Sequence, residues 1–173
     1  PDAHYNLGVT LQEQGDLNAA ISSYQQAIKF KPIYPEAHNN LGNTLKKQGN
    51  FKAAISSYQQ AIKLKPDYPV AHYNLGVTLQ EQDDLNAAIS SYQQAIKFKP
   101  IYPEAHNNLG NTLKNQGNFN AAISSFQQAI KQKPDYSEAH NNLGVIFKEQ
   151  GDLNAAISSY QHAIKLKPDY QLA

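Results

Sequence analysis

Residues 37–46 read Ala-His-Asn-Asn-Leu-Gly-Asn-Thr-Leu-Lys, and residues 105–114 repeat them letter for letter. Between them, residues 71–80 read Ala-His-Tyr-Asn-Leu-Gly-Val-Thr-Leu-Gln, so the frame returns every 34 residues. Ala-His marks it five times, at His4, His38, His72, His106 and His140. A fixed period of this length signals stacked supersecondary units, none of which buries its apolar face alone. The 173 residues divide into units 1–34, 35–68, 69–102, 103–136 and 137–170, and residues 171–173 begin a truncated sixth. A longer period lies over the first. Residues 3–68 match 71–136 except at Gly15/Asp83, Lys47/Asn115, Lys52/Asn120, Tyr58/Phe126 and Leu64/Gln132. Such closeness means either a recent duplication of a two-unit block or deliberate engineering.

Each unit reads as helix, turn, helix. Ala3, Leu7, Gly8 and Leu11 recur at helical spacing and form one apolar stripe. Gly15 suits a left-handed C-terminal cap, and Asp16 follows as an N-cap, with Asn50, Asp84, Asn118 and Asp152 its equivalents. The second helix is expected to bury Ala20, Tyr24, Ala27 and Ile28 and to stop before Pro32. Pro35, Pro69 and Pro103 fit a first helical turn, where a missing N–H costs little. Asp83 replaces the capping glycine of the third unit at a small local penalty. Most of the tyrosines fall at the second-helix core or the end of a unit, and only Tyr5 and Tyr73 fall on the other side of the first helix.

Leu7-Gly8, Leu11, Gly15, Ala20, Tyr24, Ala27 and Pro32 resemble the tetratricopeptide repeat signature, and the likeness spans residues 1–170. The resemblance implies an all-α, right-handed α-solenoid of five helix–turn–helix units. One departure is systematic: histidine stands at position 4 of each unit, where the family usually has a large aromatic. Contact between the two helices of each unit is expected to thin there.

Composition removes several function classes. All fifteen basic residues are lysine, and fourteen carboxylates leave a net charge of +1. A nearly neutral chain without arginine lacks the cationic surface that nucleic acid or an anionic membrane requires. No cysteine is present, so thiolate metal sites and cysteine nucleophiles are excluded. No apolar run exceeds three residues, far short of a membrane span. The five in-register histidines belong to helices spaced ~8–10 Å apart, too far to share one metal ion. They read as packing residues with one ring nitrogen hydrogen-bonded. Ten lysines lie in the Lys-x-Lys-Pro ends of second helices, where cations complement the helix dipole. Translation along an array separates like groups, whereas an active site gathers unlike ones. The expectation is a chain that is not an enzyme and that takes no cofactor or metal.

Function is then expected on the polar side of the first helices. Position 6 of every unit is asparagine: Asn6, Asn40, Asn74, Asn108 and Asn142. A side-chain amide both donates and accepts, so a ladder of them can hold the backbone of an extended peptide whatever its side chains. The neighbouring positions alternate, with Tyr5, Val9, Tyr73 and Val77 in odd units and Asn39, Asn43, Asn107 and Asn111 in even ones. The two apolar pairs sit two units apart, ~16–20 Å, which matches five to six extended residues at ~3.3 Å each. Position 12 carries Gln12, Lys46, Gln80, Lys114 and Lys148, with Glu13, Glu81 and Glu149 beside it offsetting the charge. The run at 37–46 is similar to the superhelical repeats of O-linked N-acetylglucosamine transferases, where such asparagines hold substrate backbone. Likeness to co-chaperone repeats that clamp a C-terminal carboxylate fails at the cations, because Tyr5 or Asn39, Val70 or Glu104, and Asn74 or Asn108 stand in their places.

The leading expectation is a protein- or peptide-binding scaffold, a fragment of a longer protein, weak and broad in its binding. Five amide contacts at a net ~1–2 kcal/mol each barely offset an association cost of ~4–15 kcal/mol. The alternatives are a substrate-targeting arm of a larger glycosyltransferase-like enzyme and a self-assembling array. In the latter, uncapped terminal units stack end to end, with Leu153 to Lys167 against the first unit of a neighbour.

Overall fold

The computed structural model describes residues 1–167. Every described element is an α-helix, and the ten of them run as pairs in chain order. They are α1 (Asp2–Gln14), α2 (Leu17–Phe30), α3 (Pro35–Lys47), α4 (Phe51–Leu64), α5 (Pro69–Glu81), α6 (Leu85–Phe98), α7 (Pro103–Asn115), α8 (Phe119–Gln132), α9 (Ser137–Glu149) and α10 (Leu153–Leu166). Tyr170 and residues 171–173 lie outside the described residues.

Local chemistry sets the helix ends. At the close of α1, Gly15 takes φ 85°. Its N–H bonds the Gln12 carbonyl (3.2 Å) and the N–H of Asp16 reaches back to Leu11 (3.0 Å), the paired closure that a left-handed residue permits. Asp83 adopts φ 61° and repeats this closure through Gln80 and Leu79, as expected for a tolerated non-glycine cap. Asp16, Asn50, Asp84 and Asp152 each accept the backbone N–H three residues on, at 3.0–3.3 Å. Asn118 differs from the expectation. Its amide donates to Gln116 Oε1 (3.1 Å) and makes no side-chain cap, because a nearby carbonyl competes for the short side chain.

The chain forms two compact units, Pro1–Phe98 and the segment from Lys99 onward. In the first, α1, α3 and α5 each pack on their own second helix, and α2 and α4 pack on the first helix that follows. The interior is built by small residues meeting rings. Ala20, Ala27, Ala54 and Ala61 are wholly buried beside Tyr24 and Tyr58. Gly42 faces Tyr58 so closely that an added Cβ would stand 2.6 Å from the ring, which is why the Leu-Gly pairs recur. Leu41 and Leu75 close these clusters from the next helix pair, whereas Leu7 on α1 is 49% exposed. Ile28 is half-buried and not fully buried as expected.

The position-4 histidines replace ring bulk with a polar tether. His72 is buried, its Nε2–H donates to the Pro66 carbonyl (2.8 Å), and its ring stacks on Phe98 at 5.6 Å. His4 stacks on Phe30 in the same manner.

The second unit repeats the plan. Ala122, Phe126, Ala129, Ala139, Leu143 and Ile146 form one buried cluster across α8 and α9. Gln132, standing where the first unit has Leu64, accepts the Tyr102 N–H and donates to the Pro100 carbonyl, both at 2.9 Å. That substitution exchanges an apolar contact for a two-point tie to the segment entering α7.

Candidate functional site

The polar face of the first helices is a bonded network. Asn74 Nδ2 donates to Asn39 Oδ1 at 3.0 Å, and Asn39 Nδ2 donates to Asn40 Oδ1 at 3.3 Å. Asn40 Nδ2 in turn donates to the Tyr5 hydroxyl at 2.9 Å. The second unit has the same step, Asn142 Nδ2 to Asn107 Oδ1 at 3.1 Å. The asparagine at position 6 of one repeat therefore ties itself to position 5 of the repeat before. Asn40, Asn74 and Asn142 each commit an amide proton to this tie within the protein.

Several expected site residues are placed differently. Asn39 and Asn107 are 3% and 0% exposed, so they stand between first helices and do not line an open face. Asn107 also donates to Glu138 Oε1 (3.0 Å), a carboxylate whose counterpart in the third repeat is Val70. Burial of an amide is tolerated because each is hydrogen-bonded on both sides. Tyr5 and Tyr73 are half-buried: Tyr5 lies 5.9 Å from the Tyr24 ring and 5.1 Å from Tyr34, and Tyr73 5.9 Å from Tyr92. Val9 packs with Ala20, Tyr24 and Leu41, and Val77 is half-buried. The tyrosines thus lean onto their own second helices and serve packing. Asn6 is exposed, and Asn40, Asn43, Asn74, Asn108, Asn111 and Asn142 are half-buried.

What opens to solvent in the first unit is a cavity of about 250 Å³ lined by Gln12, Asn43, Lys46, Lys47, Tyr58 and Asn74. Asn43 and Asn74 were anticipated from the sequence as site residues. The sequence marks Gln12 and Lys46 only through the charge pattern of position 12. Lys47 and Tyr58 line the cavity without being singled out for this face by the sequence. Their one signal was that both differ between otherwise matching halves, as Asn115 and Phe126.

The tyrosine hydroxyls at the floor of this face are held as donors. Burial pushes Tyr24 up to about 12 and raises Tyr58 as well. Tyr24 donates to Gln12 Oε1 (3.2 Å), which also lies 2.6 Å from Thr44 Oγ1, and Tyr58 donates to Asn43 Oδ1 (2.9 Å). Lys46 Nζ meets Glu81 Oε1 at 2.8 Å, joining α3 to α5. Among the described residues no three His, Asp or Glu side chains gather as a metal ion requires, and no helix is long and apolar enough to cross a membrane.

Comparison with known proteins agrees with this architecture. The family profile described as TPR repeat matches residues 11–49, 42–83, 81–117 and 110–151, and that described as tetratricopeptide repeat matches 137–170. No curated protein matches the sequence. Among solved structures, the chain is similar to MamA at 26% identity and a TM-score of 0.89, covering 94% of this chain and 95% of that one. It is similar to TTC0263, a thermophilic TPR protein of Thermus thermophilus, at 26% identity and a TM-score of 0.71, over 98% and 92%. It shares its fold with YrrB, described as a TPR protein with an unusual peptide-binding site, at 23% identity and a TM-score of 0.82, over 96% and 86%. With helix–turn–helix units along the described chain and family profiles matching nearly its whole length, this protein belongs to the tetratricopeptide repeat family.

Proposed function

We propose that the chain is a non-catalytic scaffold that holds an extended segment of a partner polypeptide against its first helices. The observation that carries this reading is the amide surface of the first unit. Gln12, Asn43 and Asn74 border one open cavity while their neighbours fix the rotamers of the amides. Preorganised amides lose less entropy when a peptide arrives. The peptide-binding site described for YrrB adds weight at the level of fold.

Asn40, Asn74 and Asn108 are the residues to test. A pull-down with the chain carrying all three as alanine is expected to lose most bound partners. Circular dichroism must accompany it, since each lost inter-repeat bond lowers stability by about 1 kcal/mol. A folded triple variant that retains all its partners would reject the reading.

A second reading, self-assembly, has its own observation. On α10, Leu153, Ile157 and Ile164 are 61%, 54% and 51% exposed, whereas their counterparts on α2, Leu17, Ile21 and Ile28, are half-buried. Residues 3–12 on α1 are identical to residues 71–80 on α5, the helix that covers α4, and α10 resembles α4 in sequence. The α1 of a second copy fits α10 by the packing already seen between α4 and α5.

A further inference from the structure

The linkers that join one repeat to the next alternate in chemistry. After the first and third repeats they read Lys31-Pro32-Ile33-Tyr34 and Lys99-Pro100-Ile101-Tyr102, whereas after the second and fourth Asp67 or Asp135 takes the place of the isoleucine. Both kinds carry the chain from a second helix to the next first helix over the same number of residues, so the connection does not require an isoleucine. Among the described residues Ile101 and Ile33 are the most exposed large apolar side chains, at 72% and 71%. Phe30, three residues before Ile33, is 60% exposed. The linkers are nevertheless held in place. The Pro32 and Pro100 carbonyls accept hydrogen bonds from His38 and His106. Gln132 ties the second of them at Pro100 and Tyr102, and the Tyr34 hydroxyl donates to Asp2 Oδ1 at 3.3 Å in the first. An apolar side chain presented on a pinned backbone loses little freedom when a partner covers it.

Charge says what the partner carries. Lys31 Nζ stands 4.2 Å from the centre of the Tyr34 ring, and Lys99 Nζ 4.1 Å from that of Tyr102. In the aspartate linkers, where a carboxylate lies two residues on, Lys65 and Lys133 stand farther from their rings, at 5.1 and 4.9 Å. An isoleucine linker thus presents an ammonium beside an apolar side chain, with no carboxylate of its own. Its complement is an apolar residue next to an acidic one. A continuous anionic surface such as a membrane would also meet Asp2 and Glu36, which flank Tyr34, so the chemistry favours a single acidic side chain over a lipid surface.

We propose that the isoleucine linkers are docking sites for a partner polypeptide segment that sets an apolar side chain on Ile33 or Ile101 and an adjacent carboxylate on Lys31 or Lys99. These sites lie on the connections between repeats and make no use of the first-helix asparagines, so they stand apart from the peptide-holding face proposed above. The aspartate linkers between them supply their own acid and offer no apolar contact, which spaces the docking sites two repeats apart in the chain.

The test titrates the isotope-labelled full chain with a Gly/Ser peptide, blocked at both ends, that carries Leu-Glu at its centre, and follows backbone amide shifts by NMR. Saturable shifts are expected at residues 31–34 and 99–102. A Leu-Gln twin is expected to bind about two- to five-fold more weakly, the scale of an exposed ion pair, and an Ala-Glu twin about five- to ten-fold more weakly. The double variant Ile33→Asp, Ile101→Asp carries the residue that the alternate linkers already hold, and is expected to keep its circular dichroism and lose the linker shifts. The reverse double variant, Asp67→Ile with Asp135→Ile, is expected to bring matching shifts to residues 65–68 and 133–136. Changing Asn40, Asn74 and Asn108 to alanine is expected to leave binding of this probe as in the wild type. Shifts confined to the first-helix asparagines, or undiminished binding by Ile33→Asp, Ile101→Asp, would overturn the linker sites and leave the scaffold reading intact. Absence of any shift at saturating solubility of the peptide would overturn them equally.

Discussion

At the scale of single residues, the position-4 histidines and most of the tyrosines are tied into packing, as their spacing in the sequence implies, and the titration of His38, His106, Tyr24 and Tyr34 reports that. Burial lowers the pKa of His38 and His106 below the ordinary imidazole value of 6.5, against a smaller opposing pull from the Pro32 and Pro100 carbonyls. The unfolded chain therefore takes up these protons at a higher pH than the folded one. Their contribution to stability is complete above pH ~6.5 and declines as the pH falls below it. The urea midpoint is expected to drop between pH 7 and pH 5.5, and His38→Gln with His106→Gln to flatten the slope. A slope unchanged in that double variant would mean that other groups drive it. The tyrosines act at the opposite end. Burial raises Tyr24 and Tyr34 to about 12, so the stability they hold is present below pH ~10 and lost as the pH climbs from there toward 12.

At the scale of elements, the turns between paired helices were legible because they depend on neighbours in sequence. Gly49, Gly117 and Gly151 take φ of 83°, 79° and 81°, and Asp83 joins them at 61°. Asp83 holds the same closing hydrogen bonds while bearing a Cβ that the left-handed region disfavours by ~1–2 kcal/mol. Glycine forfeits part of that gain through the freedom it adds to the unfolded chain, ~0.4–1 kcal/mol. Asp83→Gly is thus expected to stabilise the protein by about 0.5–1 kcal/mol, read as a higher thermal midpoint; a lower one would mean that the Asp83 carboxylate does more than fill a turn. The N-cap at Asn118 was the turn feature the sequence misjudged. A cap residue type signals the position, but which nearby acceptor or donor its amide chooses is settled by a competition over tenths of an ångström.

At the scale of the molecule, the array presents the same helix many times, and this makes self-recognition a testable property of the 173-residue chain. Sedimentation velocity is expected to reveal concentration-dependent growth, and Ile157→Lys on α10 to abolish it; a strictly monomeric wild type across the accessible range would discard the assembly reading. The period of 34 residues, the helix ends, the Ala20–Tyr24–Ala27 core face and the family itself were determined by the sequence alone, because each follows from local spacing that recurs in every unit. The partners of the polar side chains were not. Asn74 meets Asn39 across 35 residues, Lys46 meets Glu81 across the same interval, and Tyr5 turns onto Tyr24 and Tyr34 where an open face was expected. A one-dimensional period states which residues are equivalent, but the rotation of one first helix against the next decides which amides are buried as ties and which are left to line a cavity. That rotation comes from how Gly42, Tyr58 and Leu75 pack, and so belongs to the tertiary structure.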